Sequence, residues 1–425
     1  MSSKAEAMKK KNKRTLTPKL RFPEFTGDGA WDAKTLDDCC ERITETVGDA
    51  ELIPVSISSG KGFVPQAEKF GRDISGEQYS KYIWIRRGDF AYNRGNSKRF
   101  PQGCVYPLVE FDEAAASNAF YCFRLNPECE PAFFSGLFEK NAHGRQLIKF
   151  ITSSARNTGL LNIRADDFFG ITIPMPKSAR EQKKIAECLS SLDGLIAAEG
   201  RMLEALKAHK KGLMQQLFPQ PGQTQPRLRF PEFRDKGEWE KKALGDVSEV
   251  LMCKRIFASE TNPKGGVPFY KIGTLGGVPD AFISKKLFEE YKSKYNFPRI
   301  GEVLITCSGT IGKCLPYDGS DAYFQDSNIV WIDNPTLEVS NEFLLSILLN
   351  VNWSTLNSTT ITRIYGPDLR ELPIKFPQNE KEQQLISTCL TALDTRIAAQ
   401  AAKIDALKQY KRGLMQQLFP APEIS

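Results

Sequence analysis

Residues 181–219, EQKKIAECLSSLDGLIAAEGRMLEALKAHKKGLMQQLFP, return at 382–420 as EQQLISTCLTALDTRIAAQAAKIDALKQYKRGLMQQLFP. The two segments align without gaps and share 22 of 39 positions. Such identity between distant parts of one chain indicates an internal repeat, and a repeat predicts that both copies form the same structural unit.

Apolar side chains recur in each segment at alternating steps of three and four residues, which is the spacing of a coiled-coil seam. The expected seam residues are Ile185, Leu189, Leu192, Ile196, Leu203 and Leu206 in the first copy and Ile386, Leu390, Leu393, Ile397, Ile404 and Leu407 in the second. Pro219 and Pro420 end the pattern, so we expect two helices of roughly 57 Å at 1.5 Å per residue. Each seam needs one partner, and the other copy is the obvious one. Two core helices of ordinary globules are the alternative.

A second repeated motif begins each copy. PKLRFPEF at 18–25 returns as PRLRFPEF at 226–233, and a tryptophan follows each motif, Trp31 and Trp239. The aromatic and methionine side chains of RFPEF and GLMQQLF suit either core packing or docking of a partner. The candidate docking residues are Phe22, Phe25, Phe230, Phe233, Met214, Phe218, Met415 and Phe419. Repetition would create two equivalent surfaces, as two copies of one partner require.

Two stretches that barely resemble each other, 31–177 and 239–378, separate the repeated segments. Their short β-branched and aromatic runs, punctuated by Gly, Pro and Asn, predict strands and turns of a mixed α/β (α+β) module. The expected organisation is a basic tail at 1–17, a first variable domain at 18–177, a repeated helix at 178–220, a second variable domain at 221–378 and a repeated helix at 379–420.

Composition limits the class of protein. Hydrophobic residues make up 41% and charged residues 26% of the 425, which is typical of soluble globular chains. No apolar run approaches the roughly 18 residues that cross a bilayer, so we expect a cytoplasmic protein. The ten cysteines contain no CxxC pair, which favours buried reduced thiols over a metal site. The net charge of +7 favours an acidic partner such as DNA.

Catalytic motifs are incomplete in this sequence. Asn-Pro occurs in NPEC, NPKG and NPTL, and none of these completes the Asn-Pro-Pro-aromatic loop of an amino-methyltransferase. GTIGKC at 309–314 lacks the first glycine and the final Ser or Thr of a phosphate-binding loop. Glu181 and Lys183 have a spacing that is common on solvated helix faces. We therefore expect no catalytic residue, no metal and no cofactor on this chain.

The whole arrangement resembles the DNA specificity subunit of type I restriction-modification systems. The resemblance rests on the order RFPEF, variable domain, EQ helix start and GLMQQLF, followed by the same order again. It implies two target recognition domains, held in inverted orientation by two antiparallel helices, that read an asymmetric bipartite site in double-stranded DNA. It also implies two modification subunits that bind S-adenosylmethionine, and two restriction subunits that use ATP and Mg.

Polar and basic residues in the variable loops are the candidate DNA contacts, because guanidinium and amide groups pair with base edges and phosphates. They are Asn93, Arg94, Asn96, Lys98, Arg99, Arg156 and Asn157 in the first domain and Lys271, Ser308, Thr310 and Lys313 in the second. An exposed loop that touches nothing is the alternative. The cations Lys207, Lys210, Lys211, Lys408, Lys411 and Arg412 either contact phosphates or solvate helix ends. Asn118 and Asn328 occur at matching places, which favours a structural turn.

A scaffold is the main competing class. Its coiled coil would join other proteins, and its variable domains would bind peptide or RNA. A scaffold predicts no salt-sensitive binding to duplex DNA, which separates the two hypotheses.

Overall fold

Two compact units make up the chain, and each contains half of each repeated helix. The computed structural model describes residues 16–58, 60–95, 100–151, 161–353 and 363–420. Unit 1 comprises Met1–Gly200 and Ala402–Ser425, and unit 2 comprises Arg201–Ala401. The boundaries fall within the repeated helices, so each unit contains part of both helices.

Each repeated segment is one continuous helix of 39 residues. We name these the central helix, Ala179–Leu217, and the distal helix, Glu380–Leu418. All twelve expected seam residues are buried or half-buried. Leu195 and Met202 are apolar residues of the central helix outside the seam, and they are 42% and 47% exposed. The spacing of apolar residues therefore identified the packed face of both helices.

Unit 1 contains three sheets. An antiparallel sheet has the order β2-β9-β6-β7, a mixed sheet has the order β4-β3-β8-β5 with β3 parallel to β8, and β1 pairs with β10. The strands are β1 (Asp32–Thr35), β2 (Cys40–Arg42), β3 (Pro54–Ser58), β4 (Gly62–Pro65), β5 (Ile83–Arg86), β6 (Phe90–Asn93), β7 (Cys104–Pro107), β8 (Glu113–Ala116), β9 (Tyr121–Leu125) and β10 (Thr172–Met175). The short helices are α1 (Gln66–Phe70), α2 (Pro131–Glu139), α3 (Ala142–Leu147) and α4 (Ala165–Phe169).

Unit 2 repeats the antiparallel four-stranded sheet and the two-stranded sheet, whereas its mixed sheet has the parallel pair at one edge instead of in the centre. Its sheets have the orders β12-β19-β16-β17, β13-β15-β14-β18 with β14 parallel to β18, and β11-β20. The strands are β11 (Glu240–Ala243), β12 (Glu249–Leu251), β13 (Thr261–Asn262), β14 (Val267–Tyr270), β15 (Phe282–Ile283), β16 (Val303–Thr306), β17 (Cys314–Pro316), β18 (Tyr323–Phe324), β19 (Ile329–Asp333) and β20 (Pro373–Phe376). The short helices are α5 (Leu244–Val247), α6 (Lys285–Lys294), α7 (Asn341–Asn350) and α8 (Gly366–Arg370). Both units thus have the predicted mixture of helices and sheets.

The two long helices contribute to the hydrophobic core of each unit. In unit 1, Ile185 and Leu189 of the central helix share a core with Leu418 of the distal helix. In unit 2, Leu217 of the central helix shares a core with Ile386 of the distal helix. The start of one long helix and the end of the other therefore pack within the same unit.

Burial corrects part of the expected docking surface. Six of the eight candidate docking side chains are less than a tenth exposed and pack inside the units, namely Phe25, Phe233, Met214, Phe218, Met415 and Phe419. A side chain buried to this degree offers almost no area to a partner, so of the two alternatives core packing is the one that burial favours for these six. Phe22 and Phe230 are half-buried, and for them docking stays a prediction.

All ten cysteines are free thiols, and eight of them are buried. In the described part of the chain, no group of three or more His, Cys, Asp or Glu side chains is placed to hold a metal ion. Nor does any helix in those ranges have the length and apolarity to cross a membrane.

Candidate nucleic-acid interface

A buried ion pair joins the RFPEF motif to the start of a long helix in each unit. Arg21 donates through Nε and Nη2 to the two carboxylate oxygens of Glu181, each at 2.7 Å. Arg229 donates in the same way to Glu382, at 2.7 and 2.9 Å. Both carboxylates are fully buried, so the expectation that Glu181 lies on a solvated helix face was wrong. Two parallel charge-assisted hydrogen bonds fix the entrance of each domain in position and in angle.

The glutamine after each glutamate fastens a second element. Gln182 Oε1 accepts from the backbone N of Glu130, at the start of α2. Gln383 Oε1 accepts from the backbone N of Ser340, at the start of α7. These amides are first-turn donors that have no partner within their own helix. The EQ dipeptide therefore anchors both the domain entrance and a neighbouring helix, and sequence reasoning missed this role although the dipeptide is repeated.

Two lysines among the possible phosphate contacts are neutralised within their own units. Lys411 donates to Asp193 at 2.7 Å and to Glu139 at 2.5 Å, and it is 5% exposed. Burial lowers its pKa, but the hydrogen bonds to the two carboxylates outweigh this effect and raise the pKa overall. Lys210 donates to Asp394 at 2.6 Å. These two side chains link helices and are not available to DNA.

The first candidate loop follows β6 in unit 1. Arg94 lies with its guanidinium 4.6 Å from the centre of the Tyr121 ring, and its Nε donates to the carbonyl of Ala119 at 3.1 Å. Asn93 Oδ1 accepts from the backbone N of Gly95 at 2.8 Å. Both side chains are half-buried, so the loop base is ordered by its own polar groups. Five other candidates lie outside the described residues: Asn96, Lys98, Arg99, Arg156 and Asn157.

The second candidate loop follows β16, the strand of unit 2 that occupies the place of β6. Ser308 Oγ donates to Asn328 Oδ1 at 2.8 Å, while Thr310 and Lys313 are exposed. Lys313 Nζ donates to the carbonyl of Leu275, which joins this loop to the glycine-rich turn at 273–277. Lys271 lies just before that turn and pairs with Asp280 at 3.1 Å. The structure thus brings the four candidates of unit 2 together on two adjoining turns.

An arginine side chain donates a hydrogen bond to the turn that contains the matching Ser-Asn pair of each unit, 117–118 in unit 1 and 327–328 in unit 2. In unit 1 this is Arg94, through the carbonyl of Ala119, and in unit 2 it is Arg363, whose Nη2 donates to the carbonyl of Ser327 at 3.1 Å. Asn328 accepts the hydrogen bond from Ser308, which agrees with a structural role for this asparagine.

Arg255 adds an exposed cation beside the same turn. Its Nε lies 3.1 Å from Asp326 Oδ2, and 63% of its side chain is exposed. Sequence reasoning missed Arg255 and Arg363, because they come from segments that have no match in the other copy.

The fold and these loops define a class of protein: a repeated α/β framework that presents different polar loops in its two copies. A family model described as the type I restriction modification DNA specificity domain matches residues 102–208 and 236–409. These residues are more than half of the chain, so the chain belongs to this family.

Curated relatives agree with this assignment. A putative type I restriction enzyme specificity subunit of Haemophilus influenzae is 46% identical over 144 residues, which cover 34% of this chain and 37% of that protein. The type I restriction enzyme MjaVIII specificity subunit of Methanocaldococcus jannaschii is 26% identical over 291 residues, which cover 64% of this chain and 66% of that protein. The alignments therefore span between about a third and two thirds of the length of these relatives.

Solved structures show the same fold. The S subunit of a type I restriction-modification system from M. genitalium matches with a TM-score of 0.57 at 14% identity, covering 96% of this chain and all of that one. A chain from a study of complex assembly and conformational transition of the type I R-M system matches with a TM-score of 0.56 at 19% identity. The match covers 92% of this chain and 97% of that one. At these identities the likeness concerns the fold alone.

Proposed function

We propose that this chain reads an asymmetric, bipartite site in double-stranded DNA, with one half-site for each unit, and carries modification and restriction subunits to that site. Family membership supports the coarser role, DNA sequence specificity. The observation that carries the finer proposal is the combination of a shared framework with different loops. The Arg-Glu ion pair and the order of the antiparallel four-stranded sheet recur in both units, whereas the loop after β6 begins RGNSKR and the loop after β16 begins CSGTIGK.

The contents of the two loops support different targets. The loop of unit 1 carries guanidinium and amide groups, which suit bidentate contacts to guanine and adenine in the major groove. The loop of unit 2 is built from glycine, Ser and Thr with a single lysine, Lys313, which suits close approach of backbone to a duplex. Two similar domains with such different loops would read two different half-sites, so the whole site would be asymmetric.

The two long helices are proposed to form the antiparallel coiled coil that joins the recognition units. Within unit 1, Lys403 donates to Glu199 at 2.6 Å and Lys411 donates to Asp193 at 2.7 Å, so the two helix segments run in opposite directions there. Each helix of 39 residues is roughly 58 Å long at 1.5 Å per residue. Helix length would then set the spacer between the half-sites.

Recruitment of partners is proposed to use the repeated surface around the RFPEF motif. Leu20 and Leu228 occupy the same place in the two copies and are 41% and 40% exposed. Their backbone N atoms donate to the carbonyls of Gln417 and Gln216, at 3.1 and 2.9 Å, so both leucines are held against the end of a long helix. Two equal exposed leucines, each near a half-buried phenylalanine, would suit two copies of one modification subunit.

The chemistry of the complex is proposed to belong to the partners. The chain would have a non-catalytic role, S-adenosylmethionine would bind to the modification subunits, and ATP with Mg would bind to the restriction subunits. This division follows from the role of a specificity subunit and from the incomplete catalytic motifs in the sequence.

Selection from a randomised DNA duplex library tests the proposed function. The full chain, co-purified with its modification subunit, is expected to enrich a split motif of two half-sites. Binding to that motif should weaken steeply as salt increases, because cationic side chains displace counterions from phosphates. A matched library of RNA should give no enriched sequence. Enrichment from RNA alone, or no salt-dependent duplex binding, would favour the scaffold.

A further inference from the structure

One turn of unit 2 is held by backbone hydrogen bonds and carries an exposed aliphatic side chain. We name residues 271–280, KIGTLGGVPD, the valine turn. Lys271 O accepts from the backbone N atoms of Thr274 and Leu275, each at 3.0 Å, and Thr274 O accepts from Gly277 N at 2.9 Å. Leu275 is 2% exposed and anchors the turn in the core, and the Lys271–Asp280 ion pair at 3.1 Å closes its base.

Val278 is the apolar residue that this turn leaves in solvent. It is 87% exposed, the highest value among the exposed large hydrophobic residues of the described chain. An isolated apolar side chain on a surface is ordinary, but this one is held by a turn with fixed hydrogen bonds. A turn held in this way loses less conformational entropy on binding than a flexible loop does.

Two residues before Val278, at Gly276, the turn packs closely against side chains of a neighbouring segment. A Cβ atom built on Gly276 would lie 3.5 Å from Lys313 Nζ and only 2.5 Å from Leu315 Cδ1, so the turn fits tightly against β17 and the loop before it. The positive φ of +69° at Gly276 adds a second reason for glycine there. The turn that presents the valine therefore lies beside Lys313, an exposed cation whose charge complements a phosphate backbone.

We propose that Val278 is a specificity-determining residue that contacts the C5-methyl group of one thymine in the half-site read by unit 2. The proposal rests on the proposed DNA-reading function and adds the class of base that this turn recognises. In the major groove only thymine presents a methyl group, and apolar side chains are the groups that recognise it. Lys313 would hold a flanking phosphate, so that the valine enters the groove in a fixed register.

Replacement of thymine by uracil tests the contact, because uracil lacks only the methyl group. Once the split motif of the wild-type complex is known, each thymine of the unit 2 half-site is replaced singly by uracil in a synthetic duplex. We expect one replacement to weaken binding of the wild-type complex roughly fourfold, the equivalent of about 0.8 kcal/mol for one buried methyl-sized group. The Val278→Ala complex should bind the thymine and uracil duplexes equally.

Ile300→Ala is the matched control. Ile300 is also aliphatic and 75% exposed in unit 2, but it precedes β16, whereas the candidate loop follows that strand. The control complex should keep the wild-type uracil sensitivity. The inference fails if the half-site contains no thymine, if the wild-type complex ignores every uracil, or if Val278→Ala leaves the sensitivity intact. If the wild-type complex enriches no motif, the proposed function itself fails, and the two failures are thus distinguishable.

Discussion

Trp31 and Trp239 follow the RFPEF motif in the two copies but differ in one hydrogen bond. Trp31 Nε1 donates to Glu181 Oε1 at 3.1 Å. Trp239 Nε1 is buried without an acceptor among the described residues. Both indole rings are almost completely buried, at 3% and 4% exposed, so the two sites remove similar areas from water.

Replacing each tryptophan by phenylalanine should therefore have unequal effects. Trp31→Phe loses a hydrogen bond to a charged carboxylate, and this loss should destabilise unit 1 by about 1.5–3 kcal/mol more than Trp239→Phe destabilises unit 2. Native-state hydrogen exchange measures the opening free energy of the sheet in each unit separately. Equal effects in the two units, or a larger effect of Trp239→Phe, would contradict this account.

His143 gives unit 1 a dependence on pH. Its ring is fully buried, and burial lowers its pKa to about 4 although a hydrogen bond with the Gly103 carbonyl acts in the opposite direction. The unfolded chain, with a histidine pKa of about 6.5, binds more protons than the folded chain between these values. Stability is therefore full above about pH 6.5 and is lost as pH falls toward 4, by up to about 3 kcal/mol from this residue.

His143→Phe removes this titration. The opening free energy of unit 1, measured by hydrogen exchange at several pH values, should fall less steeply between pH 6.5 and 4 in the variant than in the wild type. His209→Phe, on an exposed position of the central helix, is the matched control and should keep the wild-type slope. An unchanged slope in His143→Phe would show that other groups cause the acid sensitivity.

Residue-scale contacts were the least predictable feature. Arg21 and Glu181 are 160 residues apart, and nothing in their local sequence pairs them. The sequence signal for this contact was that RFPEF and the EQ helix start are both repeated. Two residues that recur together in two copies can form the same contact twice. The unrepeated arginines, Arg255 and Arg363, left no such signal.

At the scale of single elements, the long helices were predictable from spacing alone. A seam of apolar residues depends on the helix period and not on distant partners, so the predicted ends at Pro219 and Pro420 lie close to the observed ends. Sheet order was not predictable in this way. Strands of two to five residues pair across long stretches of chain, as β2 does with β9, and short strands carry little local information about such pairing.

Two leucines of the central helix test whether the seam carries the stability of that element. Leu189 is 3% exposed and lies in the seam, and Leu195 is 42% exposed and lies outside it. Leu189→Ala should destabilise unit 1 by about 2–5 kcal/mol, because it leaves a cavity in a packed core. Leu195→Ala should change stability by less than about 1 kcal/mol. Chemical denaturation of the two variants compares the same substitution in two environments. Equal losses in the free energy of unfolding would contradict the prediction that the seam position contributes more to stability than the exposed one.

At the scale of the whole molecule, net charge is a weaker guide than it first suggests. Residues 1–17 contain six Lys or Arg and one Glu, which leaves a net charge of only +2 for the rest of the chain. The proposed binding of DNA by unit 2 would therefore depend on exposed local groups such as Arg255 and Lys313. The repeat predicted two related units, whereas the recognised bases depend on loop geometry that sequence alone does not encode.

In the proposed function, this one chain directs modification to a split DNA site. Its most direct test is a map of methylated adenines in the genome of cells that carry this chain with its modification subunit, compared with cells that carry the modification subunit alone. We expect a motif of two separated half-sites that is methylated only when the chain is present. Unchanged methylation, with the modification subunit shown to be active, would contradict the account.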